Sequence, residues 1–189
     1  MLKLVKLDPD SIEYVRERIS WGKQIGKHLL DLPLNRGEVT AFLPESIAVD
    51  RRRNLLAGGI GQTDQLVEPI VDFVSEYLSN NSRKYVIFDD PLAQKNTILQ
   101  DEQIFVCGSD VYPFVTSTDN YRERLKGELI SIGTWYFIGV LTSLDEESDI
   151  ILTGETITDK KLQMLASRTD HILVNAYDGE TLVIWSNKI

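Results

Sequence analysis

The stretch ILVNAYDGETLVIW, from Ile172 to Trp185, decides the fold. Ile172-Leu173-Val174 and Leu182-Val183-Ile184-Trp185 are apolar, β-branched or aromatic, and they flank Asp178-Gly179, the residue pair that a two-residue type I′ turn prefers. A C-terminal β-hairpin follows. Earlier runs have the same character. Tyr85 to Phe88 reads as a strand that ends in Asp89-Asp90-Pro91, and Ile104 to Cys107 as a strand stopped by Gly108-Ser109-Asp110. Tyr112-Pro113 favours extended or turn geometry in the segment Val111 to Asn120, and Tyr121 to Lys126 suits one helical turn. Leu129 to Ile132 and Thr134 to Leu141 read either as two buried strands or as one long strand bent at Gly133. Towards the N-terminus, Val39 to Leu43 makes a strand between the Asn35-Arg36-Gly37 turn and Pro44, and Leu2, Leu4 and Val5 make another.

Helical periodicity separates these strands. Ile12, Val15, Ile19, Gly22, Gly26 and Leu29 alternate by three and four positions, one face of an amphipathic helix, with Asp8 and Pro9 placed to start it. A glycine in a helix interior costs about 1 kcal/mol relative to alanine, so Gly22 and Gly26 signal either close backbone packing or a break near Trp21. From Leu66 to Leu78, the positions Leu66, Ile70, Phe73, Val74, Tyr77 and Leu78 define a second helical face, with Pro69 placing the secure part of the helix at or after that residue and the Ser79-Asn80-Asn81-Ser82 cluster ending it. Thr156-x-x-Asp159 fits a capping box for a third helix, continued by Leu162, Leu165, Ala166 and Thr169 and ending near Arg168. The segment around 47–57 is open: Ile47-Ala48-Val49 suits an extended chain, and Asp50 to Ala57 suits a short helix closed by Gly58. Hairpin signals with helices between groups of strands give an α+β fold: one domain over residues 1–189, a mainly antiparallel sheet and about three to four helices.

A chain of 189 residues, 42% hydrophobic and 26% charged, buries about 70% of its surface on folding, enough for a core without metal or disulfide staples. Cys107 is the only cysteine, which excludes an intramolecular disulfide and a cysteine-based zinc site and suits a reducing, cytoplasmic setting. The longest uncharged run, Leu129 to Leu144, is too short and too polar to span a bilayer, and no secretory signal opens the chain. The formal net charge is −9. Residues 1–60 carry ten basic and eight acidic side chains, net +2, whereas residues 61–189 carry ten and twenty-one, net −11. Such a field disfavours nucleic acid and anionic membranes and speeds encounter with basic partners.

Five groups of residues are candidates for chemistry or binding. Arg51-Arg52-Arg53, followed by Gly58, Gly59, Gly61 and Thr63 ahead of a helix, resembles an anion site, since glycines admit backbone N–H groups to a phosphate and arginines clamp its oxygens. It lacks the Gly-Lys-Ser/Thr ending of a P-loop, and a helix cap followed by a solvated turn accounts for it equally. Asp145, Glu146, Glu147 and Asp149 fail as a calcium loop, because Ile150 and Thr156 stand where glycine and glutamate are required. Asp89-Asp90 ends a strand, a place for catalytic carboxylates as well as for an ordinary turn. Cys107 with His28 or His171 makes a formal nucleophile pair, against the commoner state of a buried structural thiol. Trp21, Trp135 and Trp185 read mostly as core, with interface anchors as the alternative.

No catalytic signature is present, so the sequence leans away from an enzyme and calls for no cofactor or metal. The expectation is an acidic protein-binding module of inhibitor or immunity type, acting on a basic protein partner, with Asp145, Glu146, Glu147 and Asp149 as steering contacts. The alternative is an enzyme or sensor that binds a phosphorylated small molecule through Arg51 to Gly61.

Overall fold

The computed structural model describes residues 2–7, 11–32, 38–44, 49–50, 55–56, 64–80, 84–89, 103–116, 119, 121–122, 124, 138–143, 157–176 and 181–187. In chain order the elements are β1 (Leu2–Lys6), α1 (Ser11–Ile19), α2 (Gln24–Leu30), β2 (Glu38–Pro44), β3 (Val49–Asp50), β4 (Leu55–Leu56) and α3 (Asp64–Ser79). There follow β5 (Lys84–Asp89), β6 (Gln103–Cys107), β7 (Asp110–Val115), β8 (Ile138–Ser143), α4 (Asp159–Ser167), β9 (Thr169–Ala176) and β10 (Thr181–Ser186). Eight strands form one antiparallel sheet in the order β1-β2-β10-β9-β8-β5-β7-β6, and β3 pairs with β4 in a separate two-stranded ladder. The fold is α+β with an antiparallel sheet, as the strand and helix signals predict.

The β9–β10 hairpin has the expected register. Ala176 faces Thr181, the pairing that a two-residue Asp178-Gly179 turn requires, although residues 177–180 lie outside the described residues. Its strands read as nearly continuous apolar runs because helices cover both faces of the sheet. On β10, Val183 and Trp185 join a core with Val15 and Ile19 of α1, Ile25 and Leu29 of α2, and Leu162 and Leu165 of α4. The alternate residues Leu182 and Ile184 join the opposite core with Val67, Ile70, Val71, Val74 and Tyr77 of α3. The period of two along a strand thus divides one hydrophobic run between two cores.

Of the two alternatives that Gly22 and Gly26 signal, the break near Trp21 is present: two helices separated by residues 20–23, where Gly22 N–H donates to Ile19 O at 3.0 Å in a tight turn. Other local expectations are corrected. α3 begins at Asp64, five residues before Pro69. Proline removes one donor from the helix, yet Val67, Ile70 and Val71 all bury against the sheet and reward the helix on both sides of it. The capping residue of α4 is Thr158, whose hydroxyl accepts from Lys161 N–H, rather than Thr156. Ile157 is buried and its N–H donates to Val106 O at 2.7 Å, so it extends alongside β6 and delays the helix by two residues. Asp50, Leu55 and Leu56 are extended in the β3–β4 ladder, not helical.

β6 and β7 form a hairpin that the sequence reading treats only as a stop. Cys107 faces Asp110 across Gly108 and Ser109, and Gly108 has φ +61°, the left-handed conformation that the first position of such a turn needs. Pro113 fits inside β7 because the ladder to β5 covers only Phe114 and Val115. Of the strands expected between Leu129 and Leu141, β8 accounts for Ile138 onward; residues 129–137 lie outside the described residues. Among the described residues no helix is long and apolar enough to cross a membrane.

Candidate functional site

Arg51, Arg52, Arg53, Gly58, Gly59, Gly61 and Thr63 lie outside the described residues, as do Asp145, Glu146, Glu147, Asp149, Asp90 and Trp135. What the structure brings together instead is an acidic helix face, a buried carboxylate under a helix joint, and a polar cluster at a strand bulge.

The acidic face belongs to α3. Its apolar positions turn to the sheet, which leaves Glu68, Asp72 and Glu76 exposed on successive turns, with Asp64 one turn earlier in the sequence. The helix contains no lysine, arginine or histidine. Like charges four residues apart repel, and a carboxylate in the last turn opposes the helix dipole, so within α3 itself Asp72 and Glu76 repel each other and Glu76 opposes the dipole. Arg122 grips Glu68 in a two-pronged ion pair, with Nη2 donating to Oε2 at 2.9 Å, while Asp72 and Asp119 also lie within its electrostatic reach.

The buried carboxylate is Asp89, at the end of β5, with no exposed surface. Lys23 N–H donates to Oδ1 at 2.9 Å and Oδ2 at 3.0 Å, and Gly26 N–H donates to Oδ2 at 3.2 Å. Ile25 N–H donates to the Tyr112 hydroxyl at 3.2 Å. The first turn of α2 is therefore capped by side chains from β5 and β7 rather than by a local residue. Glycine is required at both ends of this joint. A Cβ on Gly22 would lie 2.6 Å from Asp89 Oδ2, and one on Gly26 would lie 2.8 Å from Ile19 O. Burial pushes the Asp89 carboxyl up to about 6, against the downward pull of its Lys23 and Gly26 partners. The acidic reading of Asp89-Asp90 as a catalytic pair gives way, for Asp89, to a structural cap whose partners lie more than sixty residues away in sequence.

Cys107 lies in the same neighbourhood, where its thiol donates to Gln24 Oε1 at 3.4 Å. Burial, together with Asp159 and Asp110, pushes its pKa up, so the thiol stays protonated, the opposite of an activated nucleophile. His28 Nε2 lies 3.0 Å from Asp159 Oδ1 and ties α2 to the start of α4. His171 belongs to the other side of the sheet, its ring edge-on to Phe73 and Tyr77 of α3 and its Nδ1 2.7 Å from Ser186 Oγ.

The bulge explains that last cluster. Leu141 pairs with His171 but Thr142 pairs with Thr169, which leaves Asp170 as the extra residue of β9. Consecutive residues of a regular strand face opposite ways; here both Asp170 and His171 contact α3, and the Tyr77 hydroxyl donates to Asp170 Oδ2 at 3.0 Å. Desolvation and the Asp170 charge push the Tyr77 phenol up, which keeps it a donor. Trp185 is buried, as expected of most tryptophans here, whereas Trp21 is 41% exposed, with the Arg18 guanidinium 4.4 Å from its ring centroid. No family model, curated protein or solved structure matches this chain.

Proposed function

We propose that this chain is an acidic protein-binding module of inhibitor or immunity type that acts on a basic protein partner in the cytoplasm. The observation that supports it is the exposed row Glu68, Asp72 and Glu76 on α3, carried by a helix with no basic residue. Asp72 and Glu76 repel each other along the helix, and a cationic surface laid along the row turns that cost into attraction. Asp145, Glu146, Glu147 and Asp149 extend the same negative field in this reading, and the net charge of −9 steers a basic protein towards it.

The test is capture of partners by the tagged protein at low and moderate salt, followed by association kinetics with the protein retained. A basic protein held near stoichiometrically, with association slowed at least about tenfold by the double substitution Asp72→Lys and Glu76→Lys at low salt and much less at high salt, is the expected result. Neither position is Glu68, the carboxylate that Arg122 holds. Failure to retain a basic protein, or an association rate indifferent to charge reversal on both α3 and residues 145–149, removes the reading.

A further inference from the structure

Asp89 is a carboxyl group with no exposed surface, placed where two helices meet a sheet. Three hydrogen bonds from Lys23 N–H and Gly26 N–H converge on it, and the Gly22 and Gly26 backbones come so close that added Cβ atoms would lie 2.6 and 3.4 Å from Oδ2. Among the described residues, the titratable groups around it come from two elements. The α1–α2 joint contributes Lys23, whose Nζ donates to Val111 O at 3.0 Å and stands 5.6 Å from the Tyr112 ring centroid; β7 contributes Asp110 and Tyr112 itself. Lys23 favours the charged carboxylate and Asp110 opposes it. Tyr112 offers its hydroxyl oxygen to Ile25, and its phenol is itself pushed up by burial and by Asp89, so it remains neutral.

We propose that Asp89 is a proton-linked latch: the carboxyl group that β5 inserts under the α1–α2 joint binds a proton within the intact fold, and its protonation state sets how firmly α2 is held to the sheet. The chemistry is an equilibrium protonation of one carboxylate oxygen by solvent, with no other covalent bond made or broken. Oδ2 can accept from both Lys23 and Gly26, so a proton on Oδ1 removes one of the three hydrogen bonds and leaves the cap formed. Gain outweighs that loss because a buried charge disappears. The folded-state value near 6 stands above the ordinary carboxylate value of 3.8, so the folded state holds the proton more tightly than the unfolded chain. The stabilisation is complete below the unfolded value and is lost as pH rises through 6. Mild acid therefore tightens this latch, the reverse of the usual acid loosening of a salt-bridged carboxylate.

Chemical denaturation of the whole chain and of Asp89→Asn at pH 7.5 and pH 5.0 tests the stability arm. Between those pH values the unfolding constant of the unsubstituted chain falls about tenfold more than that of Asp89→Asn, which keeps an acceptor oxygen but has no proton to bind. Equal changes in the two proteins overturn the proposal. Should Asp89→Asn not fold, the titration is read directly from the assigned carboxyl carbon of Asp89 together with the Lys23 and Gly26 amide protons of the unsubstituted chain. A shared midpoint near pH 6 supports the latch; a midpoint in the ordinary carboxylate range, or amides that do not follow the carbon, overturns it.

Discussion

Among the elements described, three helices of seven to nine residues, α1, α2 and α4, pack on one face of the sheet, and α3, a helix of sixteen, packs on the other. Isolated helices below about 12 to 15 residues are marginal in water, and the short ones here are fastened individually. Asp89 and Tyr112 cap α2, His28 joins α2 to α4, and the buried Thr142 hydroxyl donates to Leu165 O at 3.2 Å at the other end of α4. α3 relies on Val67, Ile70, Val71 and Val74 for its hold and has the Tyr77–Asp170 bond at its C-terminal end. Length and amphipathicity let α3 dock by apolar area, which frees its outer face to carry charges that a short helix could not tolerate. Polar fastening, in contrast, fixes orientation at the expense of buried polar groups.

Substitutions on each side sharpen this contrast. Ile70→Ala removes fully buried apolar volume under α3 and is expected to cost about 3 kcal/mol in urea unfolding. A loss below 1 kcal/mol would mean that apolar packing is not what holds α3. On the fastened face, Gly22→Ala forces a methyl group against a carboxylate pinned by three hydrogen bonds, and about 2 kcal/mol of stability should be lost, visible in the same assay. A neutral result would show that the joint can yield. Thr142→Val keeps the shape but deletes the donor to Leu165 O, for an expected cost of about 1 kcal/mol. The smallest effect has the opposite sign. Glu76→Lys relieves repulsion with Asp72 and suits the C-terminal end of the helix dipole, so α3 should gain about 0.5 kcal/mol, read as a slightly raised Tm. Destabilisation instead would show that Glu76 serves the fold.

How far the sequence is legible also differs between the two sides. The β9–β10 hairpin and the face of α3 announce themselves because their signals are local: an Asp-Gly pair between apolar runs, and a period of three to four. Gly22 and Gly26 signal an unusual joint without naming its partner, since Asp89 arrives from a strand far along the chain. The start of α4 is misplaced by two residues for a similar reason: Thr156-x-x-Asp159 satisfies the local pattern, but Ile157 is committed to Val106 on β6. The Asp170 bulge has no local mark at all, because it exists only relative to the register of β8. The acidic row on α3 is written in the sequence as carboxylates at 64, 68, 72 and 76, a spacing of four that becomes one face only once the segment is known to be helical.

β2 joins the sheet between β1 and β10, so Thr40 finds Ile184 across 144 residues of sequence. During synthesis the first two strands leave the ribosome long before the strand that completes their sheet, and closing so long a loop is slow. Until β10 arrives, the β2 edge of the β1–β2 pair is without its neighbour, the kind of strand that seeks other chains. Removing β10 should therefore disturb β1 and β2 first, with aggregation rather than local fraying as its outward sign.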